Sequence, residues 1–146
     1  MKILIINGPN LNLLGQRQPH IYGTESWASY YDLLCQCHSQ VTLSCMQSNS
    51  EGEIIDALHS AAYGTDYERV DAVVLNAGAY THYSYAIADA VSAINLPVVE
   101  VHISQPAGRE EFRRKSVIAP VCMASVSGFG LDSYYLAIEG LLRTRL

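Results

Sequence analysis

The chain has 146 residues, of which 49% are hydrophobic and 16% charged, and its formal net charge is −5. That is enough apolar side chain for one domain with a real core, and too much for a disordered chain. The acidic balance argues against a general nucleic-acid or acidic-membrane surface, and no apolar run reaches the ~20 residues of a membrane span.

A local basic pocket for a small anion is still compatible with that charge. The start MKILII is too short an apolar run for a signal peptide before Asn7-Gly8-Pro9 interrupts it. The cysteines, Cys35, Cys37, Cys45 and Cys122, show no CxxC or zinc spacing. Each falls in an apolar-periodic segment, so buried free thiols and a reducing cytoplasmic location are expected.

Apolar runs alternate with helical patterns along the chain. The first strand is expected at Lys2–Asn7, followed by a long polar loop, Leu11–Gly23. Such a loop exceeds the usual two to six residues, and long loops are often lids. Trp27, Tyr30, Tyr31 and Leu34 recur at helical spacing, then a second strand is expected at Val41–Gln47. Ser50 suits a helix N-cap ahead of Ile54, Ile55, Leu58, Ala61 and Ala62. A third strand is expected at Val70–Asn76, with a helix starting near Thr81 and carrying Ile87, Ala90, Val91 and Ile94. A fourth is expected at Val98–Ile103, a short helix at Arg109–Ser116, a fifth strand at Val121–Ser127, and a last helix through Tyr134, Ile138 and Leu141. Five such βα units predict an α/β fold with a parallel sheet covered on both faces, in the flavodoxin-like order 2-1-3-4-5.

Open α/β sheets bind ligands beyond the carboxyl ends of their strands. Polar residues expected there are Asn7 and Asn10, Ser48 and Asn49, Asn76, then Glu100, His102 and Ser104, and Ser127. In Val98-Val99-Glu100-Val101-His102-Ile103 the period of two puts Glu100 and His102 on one face. On a buried strand such a pair needs partners, and the Glu can fix the tautomer of the His. On an edge strand the same pair would simply meet solvent, and the pattern does not separate the two readings. Arg17 and Tyr22 form the second pair. A guanidinium favours a phenolate, although a Tyr in an IYG turn is by itself more often structural.

Asn76 and His82 bracket a glycine-containing turn whose backbone N–H groups suit polar atoms. Arg113, in Glu111-Phe112-Arg113-Arg114, could clamp a carboxylate or lie on a solvated face. Asn49 and Glu51 suit structural roles, and His20, His38 and His59 carry no pattern. The Asn-Gly-Pro end of the first strand carries neither an acidic phosphoacceptor pair nor a flavin phosphate loop. Gly128-Phe129-Gly130 begins a GxGxxG that Ser133 breaks, there is no GxSxG elbow, and neither Lys2 nor Lys115 suits Schiff-base chemistry.

Six blocks in order carry a family resemblance: NGPNLNLLGQRQPHIYG at 7–23, QSNSEGEIIDALHSA at 47–61, NAGAYTHYS at 76–84, EVHIS at 100–104, REEFRRKSV at 109–117 and SGFGLDSYYLAI at 127–138. Together they resemble type II 3-dehydroquinate dehydratase over nearly the whole chain. The resemblance implies a lyase that reversibly dehydrates 3-dehydroquinate to 3-dehydroshikimate, on the shikimate or quinate route, without a cofactor or metal. It implies a trimer-based homododecamer with no nucleic-acid or membrane partner. By matching position it implies Tyr22 as a tyrosinate base, Arg17 as the residue lowering its pKa, and His102 as general acid oriented by Glu100. Asn10 matches the amide that holds a water at the enolate oxygen. Asn76, His82 and Arg113, with the backbone of Ile103 and Ser104, match the substrate-binding set, and Asp89 matches a residue reaching in from a neighbouring subunit. Ala88, where the pattern suggests Arg, and Gln105–Gly108 depart from the family.

A non-catalytic flavodoxin-like module that binds a small anion is the alternative from another class. A nucleotide-dependent enzyme on this fold is a third reading, and it lacks a phosphate loop.

Overall fold

A computed structural model describes residues 1–15 and 26–144. Its centre is a five-stranded parallel sheet in the order β2-β1-β3-β4-β5, as the alternation predicts. The strands are β1 (Lys2–Asn7), β2 (Thr42–Gln47), β3 (Ala72–Asn76), β4 (Val98–His102) and β5 (Ala124–Ser127). Four α-helices lie among the described residues: α1 (Trp27–Cys37), α2 (Glu51–Tyr63), α3 (Tyr85–Ala93) and α4 (Asp132–Arg143).

Strand parity sorts the core into two layers. Ile3, Ile5, Val74, Val99 and Val101 pack with Tyr30 and Leu34 of α1 and Tyr134, Ile138 and Leu141 of α4. Ile6, Val73, Leu75 and Val98 pack on the opposite face with Ile54 and Leu58 of α2 and Ile87 and Val91 of α3. β3 is buried at every position, so its sequence reads as a continuous apolar run rather than an alternation.

Several boundaries differ from the sequence reading. Residues 109–116 form no α-helix; short 3-10 turns occupy Pro106–Gly108 and Glu111–Arg113. The segment is too polar to bury an apolar stripe, and no packing rewards a longer helix. The strand expected from Val121 starts at Ala124, because Ala119–Val121 is a 3-10 turn around Pro120. Thr81 does not start a helix. It sits in the 3-10 turn Gly78–His82, and Ser84 caps α3 by accepting from the N–H of Ile87. Ser50 does cap α2, accepting from Glu53 N–H. All four cysteines are free, as expected, yet none is fully buried: Cys35, Cys45 and Cys122 are half-buried and Cys37 is exposed.

The loops after β1 and β3 interlock. The N–H of Gly8 donates to the carbonyl of Asn76 at 2.7 Å. A Cβ at Gly8 would stand 2.6 Å from the backbone C and O of Ala77, so only glycine fits. Gly78 has φ 59°, and a Cβ there would stand 3.2 Å from the carbonyl oxygen of Pro9. The switch point of the sheet, where β1 is flanked by β2 and β3, is therefore closed by backbone packed on backbone.

Candidate active site

At that switch point the carboxyl ends of β1, β3 and β4 open into a pocket of about 100 Å³. Asn10, Asn76, His82, His102, Ile103, Ser104 and Arg113 all line it. Seven of the eleven residues singled out from the sequence thus meet at one place. Glu100 lies directly behind His102. Asp89 is exposed on α3 and does not line this pocket. Arg17 and Tyr22 lie outside the described residues.

Asn10 is placed by an unusual backbone. Its φ of 68° makes it the one non-glycine residue in the left-handed region among those described. Asn tolerates that region better than most side chains. Its N–H donates to Asn49 Oδ1 at 3.0 Å, and Gln47 Nε2 donates to the same oxygen at 3.1 Å. Asn49 is thus a buttress for the Asn10 turn, in keeping with its structural reading.

β4 runs between β3 and β5, so Glu100 and His102 are not on an edge. Glu100 is only 1% exposed. Its Oε2 stands 3.2 Å from His102 Nε2 and accepts from Ser125 Oγ at 3.2 Å, while Oε1 accepts from Ser116 Oγ at 2.7 Å. Burial by itself would raise the carboxyl pKa. The His102 contact and the two hydroxyls outweigh it and hold the pKa below the usual glutamate value. Glu100 is then an ionised, acceptor-only group, so the proton in the His102 contact sits on Nε2. That leaves Nδ1 as the ring's exchangeable position.

The sign of the Glu100 shift gives a test. A carboxyl whose folded pKa is depressed contributes stability above its unfolded pKa of ~4.3, and that stability is lost as pH falls through the folded value. Ser116→Ala removes one of the hydrogen bonds that depress it. The acid limb of stability against pH, measured by urea unfolding, is expected to move to higher pH. Ser116 Oγ also accepts from the N–H groups of Ile118 and Ala119, which adds a pH-independent loss. An acid limb that stays in place would show that Ser116 does not hold the carboxylate.

The other wall is basic. His82 Nδ1 stands 2.8 Å from the carbonyl of Lys115, which can only accept, so Nδ1 carries the proton. Phe112, 61% exposed, meets the His82 ring edge-on with centroids 6.1 Å apart. The Arg113 guanidinium lies 4.7 Å from the centre of the Phe112 ring. Glu110 Oε2 stands 3.1 Å from Arg113 Nε and 3.4 Å from Arg109 Nε. Its carboxyl pKa is lowered, chiefly by a hydrogen bond from its own backbone and then by the two arginines.

Sequence reasoning missed Arg109, which lines the pocket and reaches Ser104 Oγ at 3.5 Å. The available signal was a second guanidinium four positions before Arg113. It also missed Ser116 and Ser125, which nothing in the sequence tied to Glu100. Among the described residues no group of three or more His, Cys, Asp and Glu could hold a metal ion, and no helix is long and apolar enough to cross a membrane.

The fold and this pocket define a doubly wound α/β protein with acid–base and guanidinium groups gathered at its switch point. Residues 1–142 match the family model Dehydroquinase class II. A 3-dehydroquinate dehydratase of Caldicellulosiruptor bescii is 52% identical over 145 residues, covering 96% of this chain and 95% of that protein. One from Caldicellulosiruptor saccharolyticus is 50% identical over 142 residues, covering 96% and 95%. The crystal structure of type II dehydroquinase from Butyrivibrio crossotus superposes with a TM-score of 0.89 at 45% identity, covering 97% of each chain. The chain belongs to the class II dehydroquinase family.

Proposed function

We propose that this protein is a hydro-lyase that converts 3-dehydroquinate to 3-dehydroshikimate through an enolate. The carrying observation is His102, which lines a pocket shared with Arg109 and Arg113 and has a buried, ionised Glu100 at its back. Family membership supplies the substrate.

The substrate is a β-hydroxy ketone bearing a carboxylate. Tyr22, as its phenolate, takes the proton from the carbon beside the ketone, and the electron pair moves into the carbonyl to give an enolate. Arg17 lowers the cost of that phenolate. A water held by Asn10 donates to the enolate oxygen, whose charge grows only as the reaction proceeds. The enolate then collapses, the C–O bond to the hydroxyl breaks, and His102 delivers the proton that makes the departing group water. Glu100 keeps the ring oriented. Exchange with solvent returns Tyr22 to phenolate and His102 to imidazolium.

Asn76, His82 and Arg113, with the backbone of Ile103 and Ser104, hold the substrate. A guanidinium suits the carboxylate because its fork matches both oxygens. The homododecamer and the cytoplasmic location belong to the same proposal. Asp89 is exposed beside Tyr85 on α3, where a second subunit has access to it.

The test is direct. Purified protein with 3-dehydroquinate alone is expected to produce the rising ultraviolet absorbance of a conjugated enone. No rise in any buffer would overturn the assignment, and thermal stabilisation by the compound without conversion would favour a binding module instead.

A further inference from the structure

Two buried amides at the ends of adjacent strands meet a tyrosine for which the chemistry above has no task. Asn7 of β1 and Asn76 of β3 are partners in register, and strand parity turns both side chains toward the α1/α4 face. They are 1% and 3% exposed. Both reach one hydroxyl, that of Tyr134 on α4, whose side chain is fully buried. Asn76 Nδ2 donates to Tyr134 Oη at 2.8 Å, and the Tyr134 hydroxyl donates to Asn7 Oδ1 at 2.7 Å.

The direction of this relay is fixed by counting protons. A phenol has one, and it goes to Asn7, so toward Asn76 the Tyr134 oxygen can only accept. Burial pushes the phenol pKa up, so the proton stays on. The other end of the Asn76 carboxamide is held as well, because Gly78 N–H donates to Asn76 Oδ1 at 3.2 Å. With oxygen and nitrogen both engaged, the amide cannot flip. One Nδ2 hydrogen serves Tyr134, and the second is left for the pocket that Asn76 lines.

Asn7 shows what this arrangement costs. Its Nδ2 is buried without a hydrogen-bond partner among the described residues. A fold seeking only a satisfied core would not retain that loss. The Asn7 oxygen is retained because the Tyr134 proton needs a destination away from Asn76. The Trp27 ring, 4.7 Å from that of Tyr134, packs against the phenol and limits its movement.

We propose that Tyr134 is a positioning residue for substrate recognition: it locks the Asn76 carboxamide so that one Nδ2 hydrogen always points at an acceptor oxygen of the hydroxylated carboxylate in the pocket. The proposal rests on the reading of Asn76 as a substrate contact. Tyr134 reaches no substrate itself and acts only through Asn76.

The experiment is a double-mutant cycle on the full chain, with 3-dehydroquinate as substrate. Tyr134→Phe is expected to raise KM about tenfold, the scale of one well-placed hydrogen bond, and to leave kcat within about twofold. Asn76→Ala is expected to raise KM at least as much. In the Asn76→Ala background, Tyr134→Phe is then expected to add nothing further, because the amide it positions is gone. Ile138→Val, a nearby core change on α4, serves as a control that lowers stability and leaves KM alone. Asn7→Leu tests the relay with the tyrosine intact, and is also expected to raise KM by freeing the Tyr134 proton to turn toward Asn76.

A normal KM in Tyr134→Phe, beside a raised KM in Asn76→Ala, would overturn the positioning role alone. So would a full multiplicative effect of Tyr134→Phe in the Asn76→Ala background. An unchanged KM in Asn76→Ala would overturn the Asn76 contact, and the Tyr134 proposal with it.

Discussion

His102→Ala is expected to lower kcat by about 10³-fold while leaving the fold intact, because the departing hydroxyl would lose its proposed proton donor. The size of the loss follows from the leaving group. Hydroxide is a poor one, and only a proton delivered as the C–O bond breaks turns it into water. The fold tolerates the change because His102 is at the end of β4 and its side chain faces the pocket, while Val99 and Val101 carry the packing. The variant does leave Glu100 ionised and buried without its ring partner, so its carboxyl pKa is expected to rise. A steady-state assay with circular dichroism as the folding control checks this. Activity within tenfold of the parent would place the general acid elsewhere.

Tyr22→Phe is expected to be at least as damaging, with turnover reduced ~10³- to 10⁴-fold and unfolding temperature nearly unchanged. The argument is one of proton affinity. An ordinary phenol has a pKa near 10, so forming its anion at neutral pH costs roughly 4 kcal/mol, which the guanidinium proposed for Arg17 would reduce. Phenylalanine keeps the ring and removes the only atom able to take a proton. Arg17→Lys keeps a charge but not the planar fork, and should shift the acid limb of activity, which reports ionisation of the base, to higher pH. A Tyr22→Phe enzyme with near-normal rates would show that the base is another group.

The architecture was largely legible from the sequence because its signals are local. Apolar runs of five or six residues alternate with helical spacing, and Ser50 marks a helix start by its own side chain. Misreadings occurred where local preference is weak and neighbours decide. Residues 109–116 contain good helix formers, yet the chain there turns to bring Arg109 and Arg113 over the pocket. The period of two placed Glu100 and His102 on one face, but only the position of β4 inside the sheet separates a buried pair from a solvated one. Ser116 and Ser125 lie 16 and 25 residues beyond Glu100, and no sequence rule links hydroxyls so distant to one carboxylate. The relay of Asn7, Asn76 and Tyr134 spans 127 residues, so it too appears only when the strands are laid in register.

The interlocked loops after β1 and β3 have a consequence for inhibitor chemistry. Gly8 seats against Ala77 and Gly78 against Pro9, so neither loop can shift without displacing the other. The span between a fragment bound at Asn10 and one bound at Asn76 is therefore a constant of the protein. Two weak fragments, one for each amide, can be joined by a short rigid tether cut to that span. The second fragment then binds at a millimolar effective concentration without waiting for the receptor to rearrange.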